Sequence, residues 1–437
     1  RISPAGIKLD GSGVNISDTH QPQAGTTTAV VWDGVQWKTT WMHNSMVYLA
    51  RISSAGQVLD SGGVAISGPT GGNTAPTPTG GVQLIWEQYT TENNIVTAHI
   101  AANNSAAPNQ TLSLGSPMHI RPDTAVGSTG YMVVYQSQTD TAHRIMAQPL
   151  DGNGDPSTSG PIQLTSGPIL NGPGAPTIAW NGSLYLAAWS NGSNVFAQRI
   201  QQDGTLVDPA PFVVMSGFGT TDVAALGDAF LVVAHRISGQ PHFVIPIAAR
   251  VQGATGAVLD NPALVVGGSY ARSLAVTAFD NRWLVAWQQN FSHDDPMAGT
   301  AFTFVSAAGA VSPSATAYGP YSAGGGNGIF EIGLAASDTV ALLVQSAELT
   351  SGVETDLVAQ RIFPDGSLGT AVNLTPWIGN QYRPRVAWDD SQFIVVFNDQ
   401  KNRFAPHTLD QLDARSDLFG IRLSPGVAIL DPKGFAF

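Results

Sequence analysis

TIAWNGSLYLAAWSNGSNVFAQRIQQDGTLVD, residues Thr177 to Asp208, reads as three short strands joined by tight turns, with a fourth strand approaching. The apolar runs are only five to seven residues long and alternate large with small side chains. Strands buried on both faces have that pattern, whereas a helix of useful length needs a longer 3.6-residue period. Asn181-Gly182 and Asp203-Gly204 are turn pairs, because both residue types accept positive φ; pairs of this kind signal two-residue hairpins.

The same unit recurs along the chain. Its third strand ends in an apolar anchor, often after Arg or His, at Ile52, Ile100, Leu150, Ile200, Val251, Val305, Ile362 and Leu423. The anchors are roughly 48 to 61 residues apart, and self-similarity at such a period marks propellers or solenoids. Upstream of them lie second-strand runs such as VQLIW to Trp86, YMVVY to Tyr135, RWLVAW to Trp287 and FIVVF to Phe397. Further upstream lie innermost strands closed by turns, as in AVVWDG (29–34), AVTAFDN (275–281) and RVAWDDS (385–391). Four antiparallel strands in each of eight units predict an all-β, eight-bladed β-propeller occupying residues 1–437, with seven blades as the alternative. A linear stack would need polar caps, and none is evident. Residues Arg1 to Ser17 supply an outer strand with no inner strands before it, so the expectation is closure by the N-terminus onto the last blade; Val427 to Phe437 could supply the same strand.

Units of the form A-W-x-G…Y-L-V-x-W…A-x-R-I/V-x-x-x-G-x-x-L-D resemble the tandem-repeat β-propellers common in secreted bacterial proteins. The resemblance spans nearly the whole chain and implies a fold without implying an activity. No S-x-D-x-G-x-T-W box and no Gly-His…Trp-Asp signature is present, so sialidase and WD40 identities are not supported.

Composition narrows the function classes. The chain has 437 residues, 43% hydrophobic and only 11% charged, with 48 Gly and 28 Pro, which suits many short strands and argues against disorder or coiled coil. A balance of 19 basic against 31 acidic residues, net −12, argues against nucleic acid as partner. The absence of Cys removes disulfides, thiolate catalysis and Cys-ligated metals. No window approaches 18 uncharged apolar residues, so no membrane span is expected. The chain opens at Arg1, inside a repeat, which fits a processed or trimmed protein; the expected setting is secreted or extracellular, with cell-surface and periplasmic locations also open, and the expected state is a monomer.

The polar residues sort to one face. Loops between second and third strands are long and chemically rich, the longest being Asn398 to Asp417, which holds Arg403 and His407. Of nine His residues, His20, His43, His119, His143, His235, His242, His293 and His407 map to that face, and only His99 to a strand. Loops leading into innermost strands add Arg121, Asp123, Tyr270, Arg272, Trp377, Tyr382, Arg383 and Arg385, expected around the mouth of a central channel. Loops on a rigid scaffold commonly carry binding and catalysis. Four Arg (Arg121, Arg272, Arg383, Arg385) suggest capture of a carboxylate or other anion, against a plain alternative of local pairs such as Arg121 with Asp123 or Arg385 with Asp389. Tyr89, Tyr270, Phe291, Tyr318, Tyr321, Trp377 and Tyr382 would suit stacking on sugar rings, or simple loop packing.

Two clusters, His293-Asp294-Asp295 and His407 with Asp410 and Asp413, carry metal-ligand chemistry without a metal-site spacing. DGNGD at 151–155 resembles a calcium loop but falls where the other units have a turn. No cofactor is expected, and a divalent ion such as calcium is the one candidate.

Two functions from different classes follow. The first is a secreted binding protein for a carbohydrate or extracellular polymer, acting through the loop-rich face. The second is a polysaccharide lyase on an acidic glycan, with Arg272 or Arg383 neutralising a uronate and His143, His235 or Tyr382 as acid or base. Lyases on propellers are an analogy of fold alone. Whether the chain is catalytic stays open, and an extracellular protein partner, with the chain as an interaction scaffold, is a third option.

Overall fold

The computed structural model describes residues 29–43, 46–67, 72–76, 82–89, 93–100, 110–112, 118–138, 143–157, 160–165, 167, 174–238, 243–268, 271–290, 297–322, 332–350, 354–375, 381–399, 417–425 and 435–436. The fold is an all-β propeller, and its strands fall into groups of four in chain order. Blade 1 is β1 (Ala29–Trp32), β2 (Gln36–His43), β3 (Met46–Ser53) and β4 (Val64–Ser67). Blade 2 is β5 (Gly72–Pro76), β6 (Val82–Tyr89), β7 (Asn93–Ile100) and β8 (Gln110–Thr111). Blade 3 is β9 (Met118–Val126), β10 (Gly130–Gln138), β11 (His143–Asp151) and β12 (Ile162–Gln163). Blade 4 is β13 (Thr177–Trp180), β14 (Tyr185–Ser190), β15 (Asn194–Ile200) and β16 (Phe212–Ser216). Blade 5 is β17 (Phe218–Leu226), β18 (Ala229–Ser238), β19 (Phe243–Gln252) and β20 (Leu264–Val265). Blade 6 is β21 (Ala271–Phe279), β22 (Arg282–Asn290), β23 (Met297–Ser306) and β24 (Ala315–Ser322). Blade 7 is β25 (Ile332–Ala336), β26 (Ala341–Thr350), β27 (Glu354–Ile362) and β28 (Val372–Asn373). Blade 8 is β29 (Gln381–Trp388), β30 (Phe393–Asp399), β31 (Asp417–Leu423) and β32 (Phe435–Ala436).

All eight repeat anchors are found at or beside the end of a third strand. Continuous hydrogen bonding gives seven sheets, because blades 6 and 7 are joined by one pair, Ser322 of β24 with Glu348 of β26. The reason lies in strand length. β24 is eight residues long, and the innermost β25 begins only opposite Gln345, so β26 beyond that point has an edge that β24 reaches.

The expectation of closure by the N-terminus is corrected at blade 8, whose fourth strand is C-terminal: Phe419 pairs with Ala436 and Gly420 with Phe435. A strand supplied from a short connection in the same blade closes a small loop, which costs far less chain entropy than one from the far end of the chain.

The described residues fall into two compact units, Arg1–Gly71 with Asn290–Thr300 and Thr316–Phe437, and Gly72–Gln289 with Ala301–Ala315. In each unit the core lies between successive blades. In the second unit, Leu186, Val195 and Val214 of blade 4 pack with Phe230, Val232 and Ile247 of blade 5. In the first unit, Trp37, Trp41 and Ile52 pack with Phe393, Val395 and Ile421. Trp37, Trp41, Trp189, Trp283 and Trp287 are fully buried, as packing residues should be. Two such aromatics also bind the preceding blade: Trp283 Nε1 donates to the Ala224 carbonyl (3.0 Å) and Tyr185 Oη to that of Gly130 (3.4 Å).

The repeated A-x-R-I…G-x-x-L-D letters are a staple. Arg199 on β15 and Arg250 on β19 each form a two-pronged pair with Asp208 and Asp260 in the following turn. The remaining nitrogen reaches the next blade, Arg199 Nη1 to the Gly253 carbonyl (2.7 Å) and Arg250 Nη1 to that of Ala307 (2.5 Å). Arg422 of blade 8 donates in the same way to the Ser54 carbonyl of blade 1 at 2.8 Å. The repeat glycine leaves room for the guanidinium, since a Cβ on Gly256, Gly309 or Gly56 would strike Arg199, Arg250 or Arg422.

The turn pairs behave differently from the two-residue expectation. Asp280-Asn281 is such a turn, both residues having positive φ and Phe279 pairing with Arg282. Asp33 instead opens a three-residue connection, and Asn181 and Asp389 open four-residue ones. Each side-chain oxygen accepts the two backbone N–H groups that follow, such as Ser183 and Leu184 on Asn181 Oδ1.

Candidate functional site

Four innermost strands, β9, β17, β21 and β29, begin irregularly and at the same point. In β9 the register slips between the pairs Asp123–Val134 and Ile120–Gln136, leaving Arg121 and Pro122 opposite Tyr135 alone. In β21 the slip leaves Arg272 and Ser273 opposite Gln288, and in β29 it leaves Arg383 and Pro384 opposite Phe397. In β17 it spans Gly219 to Thr221 opposite Ala234. A bulge breaks the ladder and re-aims the side chains it carries. Proline is tolerated there because it has no N–H to contribute. Arginine therefore holds the first bulged position in three blades.

Arg121 is exposed and has φ 55°, a left-handed conformation that costs a non-glycine residue about 1–2 kcal/mol. Asp123, two residues further on, accepts the backbone N–H of Ile178 in blade 4 at its Oδ2 (3.0 Å). Asp222 repeats that bond from blade 5, accepting Val276 N–H of blade 6 at 2.9 Å. The half-buried Asp222 carboxyl is pushed up to about 7, chiefly by burial. Its backbone hydrogen bonds oppose the shift and the Asp123 charge adds to it. Arg385 pairs across from Val396, and its Nη1 donates to the Pro384 carbonyl (3.2 Å).

Blade 3 gathers further polar groups at this end. His119 is buried, packs edge-on to Tyr135 with centroids 5.4 Å apart, and has its basicity lowered to about 4 by burial, so it is neutral near pH 7. Gln136 is 2% exposed; its Nε2 donates to His143 Nδ1 (2.7 Å), while its Oε1 has no hydrogen bond among the described residues. His143 is half-buried and opens β11 opposite Gln138. In blade 5 the buried His235 faces Phe218, with ring centroids 6.2 Å apart. Of the expected bases, His143 and His235 thus stand on different blades, and Tyr382 lies on β29, paired with Asn398. His43 ends β2, and His99 is in β7 as expected.

Tyr270, Trp377, His293, Arg403 and His407 lie outside the described residues, as do His20, His242, Phe291 and both His–Asp clusters. Tyr318 and Tyr321, expected in loops, are in strand β24. Among the described residues no group of three or more His, Asp or Glu is placed to hold a metal ion. The run 151–155 forms a turn in which Asp151 Oδ1 accepts the N–H groups of Asn153 and Asp155.

Sequence reasoning passed over Gln136, the bond-forming role of Asp123, and Asp222. The bulge itself had a signal, since IRPDTAV (120–126) and YRPRVAW (382–388) repeat an Arg-Pro pair.

No family model and no curated protein matches the chain. Solved propellers do. The BP39L lectin from Burkholderia pseudomallei is 11% identical, over 95% of this chain and 100% of its own, with a TM-score of 0.52. The polysaccharide lyase Uly1 is 9% identical, over 96% and 94%, at 0.50. A prolyl endopeptidase is 12% identical over 86% of this chain, at 0.50, and the chain spans 54% of that enzyme's length. At such identities the likeness is one of fold.

Proposed function

We propose that the chain is a carbohydrate-binding propeller that recognises its ligand where the innermost strands begin. The observation that carries this reading is the shared bulge, which sets Arg121, Arg272 and Arg383 at one register position of three blades. A strained backbone conformation held at an exposed cation is a feature of sites rather than of scaffolds. Two of the propellers of similar fold are by name a lectin and a polysaccharide lyase, which makes glycans the ligand class to test first. A secreted setting belongs to the same proposal, resting on the Cys-free composition and the repeat resemblance.

Binding is favoured over catalysis by the state of the candidate bases. His143 and His235 belong to separate blades, and Tyr382 to a third. A glycan array probed with the full chain tests the reading. The expected result is retention on a defined set of glycans, weakened in Arg121→Gln and Arg272→Gln. Retention on none of them, with capture of an extracellular protein instead, would replace it with the scaffold reading. Release of unsaturated, ultraviolet-absorbing product from an acidic polysaccharide would replace it with the lyase.

A further inference from the structure

We propose that Asn181 is a modification site, where the Gly182 backbone nitrogen converts the side-chain amide into a carboxylate that loosens the contact between blades 4 and 5. The inference is independent of the ligand reading. It rests on turns that share one dipeptide and differ in their hydrogen bonds.

Asn-Gly is the pair in which an amide is attacked by the following backbone nitrogen with least hindrance, because glycine has no Cβ and moves freely. Asn153-Gly154, Asn181-Gly182 and Asn191-Gly192 are described; Asn171-Gly172 and Asn327-Gly328 lie outside the described residues. In two of the described turns the glycine nitrogen is occupied. Gly154 N–H donates to the Asp151 carbonyl (3.0 Å) and Gly192 N–H to Ser190 Oγ (3.0 Å). Gly154 is also buried, and a Cβ there would strike Gln83. Gly182 is exposed, its N–H has no partner among the described residues, and a Cβ on it would meet nothing within 4 Å. Its nitrogen gives up no bond in losing its proton, and it has room to move onto the amide carbon.

The Asn181 amide is prepared at both ends. Its Oδ1 accepts from Ser183 N (3.0 Å), Ser183 Oγ (2.9 Å) and Leu184 N (2.9 Å). Donors gathered on that oxygen stabilise the negative charge that attack at Cγ places there. Its Nδ2 points to blade 5, where it donates to the Asp228 carbonyl (3.3 Å) and to Asp228 Oδ1 (3.4 Å). A carboxylate beside Nδ2 favours its protonated, departing form.

The bonds balance without a cofactor. The Gly182 N–Cγ bond forms as the amide proton passes to water. The Cγ–Nδ2 bond then breaks, and Nδ2 takes a proton from water and leaves as ammonia. A second water opens the cyclic imide at either carbonyl, giving Asp or isoaspartate at position 181. Nothing is oxidised or reduced.

The Asp product suits its own turn and not its neighbour. Asp33 and Asp389 open the corresponding turns of blades 1 and 8 and accept the equivalent N–H groups. Across the blade boundary, however, the new carboxylate faces that of Asp228, which Gln252 Nε2 and Ala254 N–H hold in place. A donor–acceptor contact becomes a contact between like charges.

The test holds the full chain at mildly alkaline pH and follows amide loss at each site by peptide mapping and mass spectrometry. Asn181 should convert roughly fivefold faster than Asn153 or Asn191, the margin set by one ordinary backbone hydrogen bond. In urea-unfolded chain the three rates should converge. Conversion of Asn153 or Asn191 as fast as Asn181, or a contrast that persists in urea, overturns the modification site. Asn181→Asp stands in for the product, and its urea midpoint should fall below that of the wild type. Asp228→Asn should be better tolerated in the Asn181→Asp chain than in the wild type, because it removes the repulsion. An unchanged midpoint in Asn181→Asp, or an equal effect of Asp228→Asn in both chains, overturns the loosened contact.

Discussion

Arg199 Nη2 lies 2.5 Å from Asp208 Oδ1, nine residues further along the chain, and the same guanidinium holds a carbonyl of the following blade. One side chain thus ties a strand to its own turn and to its neighbour. In blade 5 the pair is Arg250 with Asp260, both nearly buried. Removing one partner of such a pair strands the other charge and costs about 3–5 kcal/mol. Asp260→Ala should therefore lower the urea midpoint sharply. Substituting both residues with apolar side chains of similar size should recover much of the loss.

The staple predicts a contrast between two glycines of positive φ. A Cβ on Gly256 would come within 2.9 Å of Arg199 Nε, whereas one on Gly182 meets nothing within 4 Å. Gly182→Ala should cost about 1 kcal/mol, the conformational penalty alone. Gly256→Ala should cost clearly more, because the guanidinium must leave its carboxylate. Denaturant midpoints of the two variants measured side by side decide this.

Lys38 and Asp33 form an ion pair (2.8 Å) with side chains 0% and 1% exposed. Asp33 also accepts the N–H groups of Val35 and Gln36. The two halves are consequently unequal. Lys38→Met leaves a carboxylate that keeps two backbone donors, whereas Asp33→Ala leaves a buried ammonium and two unmet amides. The second variant should be the less stable by about 2 kcal/mol or more in thermal or urea unfolding.

Stability should depend on pH in two opposite senses. His119 is held below its ordinary value, to about 4, so its contribution is present above pH 6.5 and is lost as pH falls towards 4. Asp222 is held above its ordinary 3.8, to about 7. Its contribution is complete below pH 3.8, declines as pH rises to 7, and stays low beyond. Asp222→Asn keeps a side-chain acceptor without the charge. The variant should gain on the wild type between pH 4 and 7 and hold that advantage at pH 8. Urea midpoints across the range, with an imidazole titration followed by NMR, check both.

Arg121→Gly separates shape from recognition. Glycine takes φ 55° without strain, and the relief offsets its extra freedom in the unfolded chain. The backbone relief should offset the loss of the side chain's own contacts, leaving stability within about 1 kcal/mol of the wild type, while affinity for the glycan falls. A large loss of stability would mean that Arg121 is a packing residue.

Much of the fold was legible because its signals are local and repeated. The anchors from Ile52 to Leu423 marked third strands, since alternation and turn chemistry are short-range properties. Closure was left between the two ends, with the N-terminus preferred, because β32 is two residues of Phe and Ala, too short for its pattern to decide. The blade 6–7 join was invisible because one pair, Ser322 with Glu348, depends on where β25 starts and not on any letter nearby. The site was half legible. Its arginines stood out as charges in a chain with few of them, but Gln136 and Asp123 matter through register and burial, which composition does not encode.

The staple also has a direction. Each guanidinium reaches forward, from Arg199 to Gly253, from Arg250 to Ala307 and from Arg422 to Ser54. A flaw in a turn is then felt upstream of where it is made. A bulky residue at position 309 displaces Arg250, so backbone amides of β19 should lose hydrogen-exchange protection before those of β23, the strand next to the substitution. Disease-like or laboratory substitutions in such repeats should be mapped to the preceding blade, and a blade transplanted without its successor would leave its own arginine with nothing to hold.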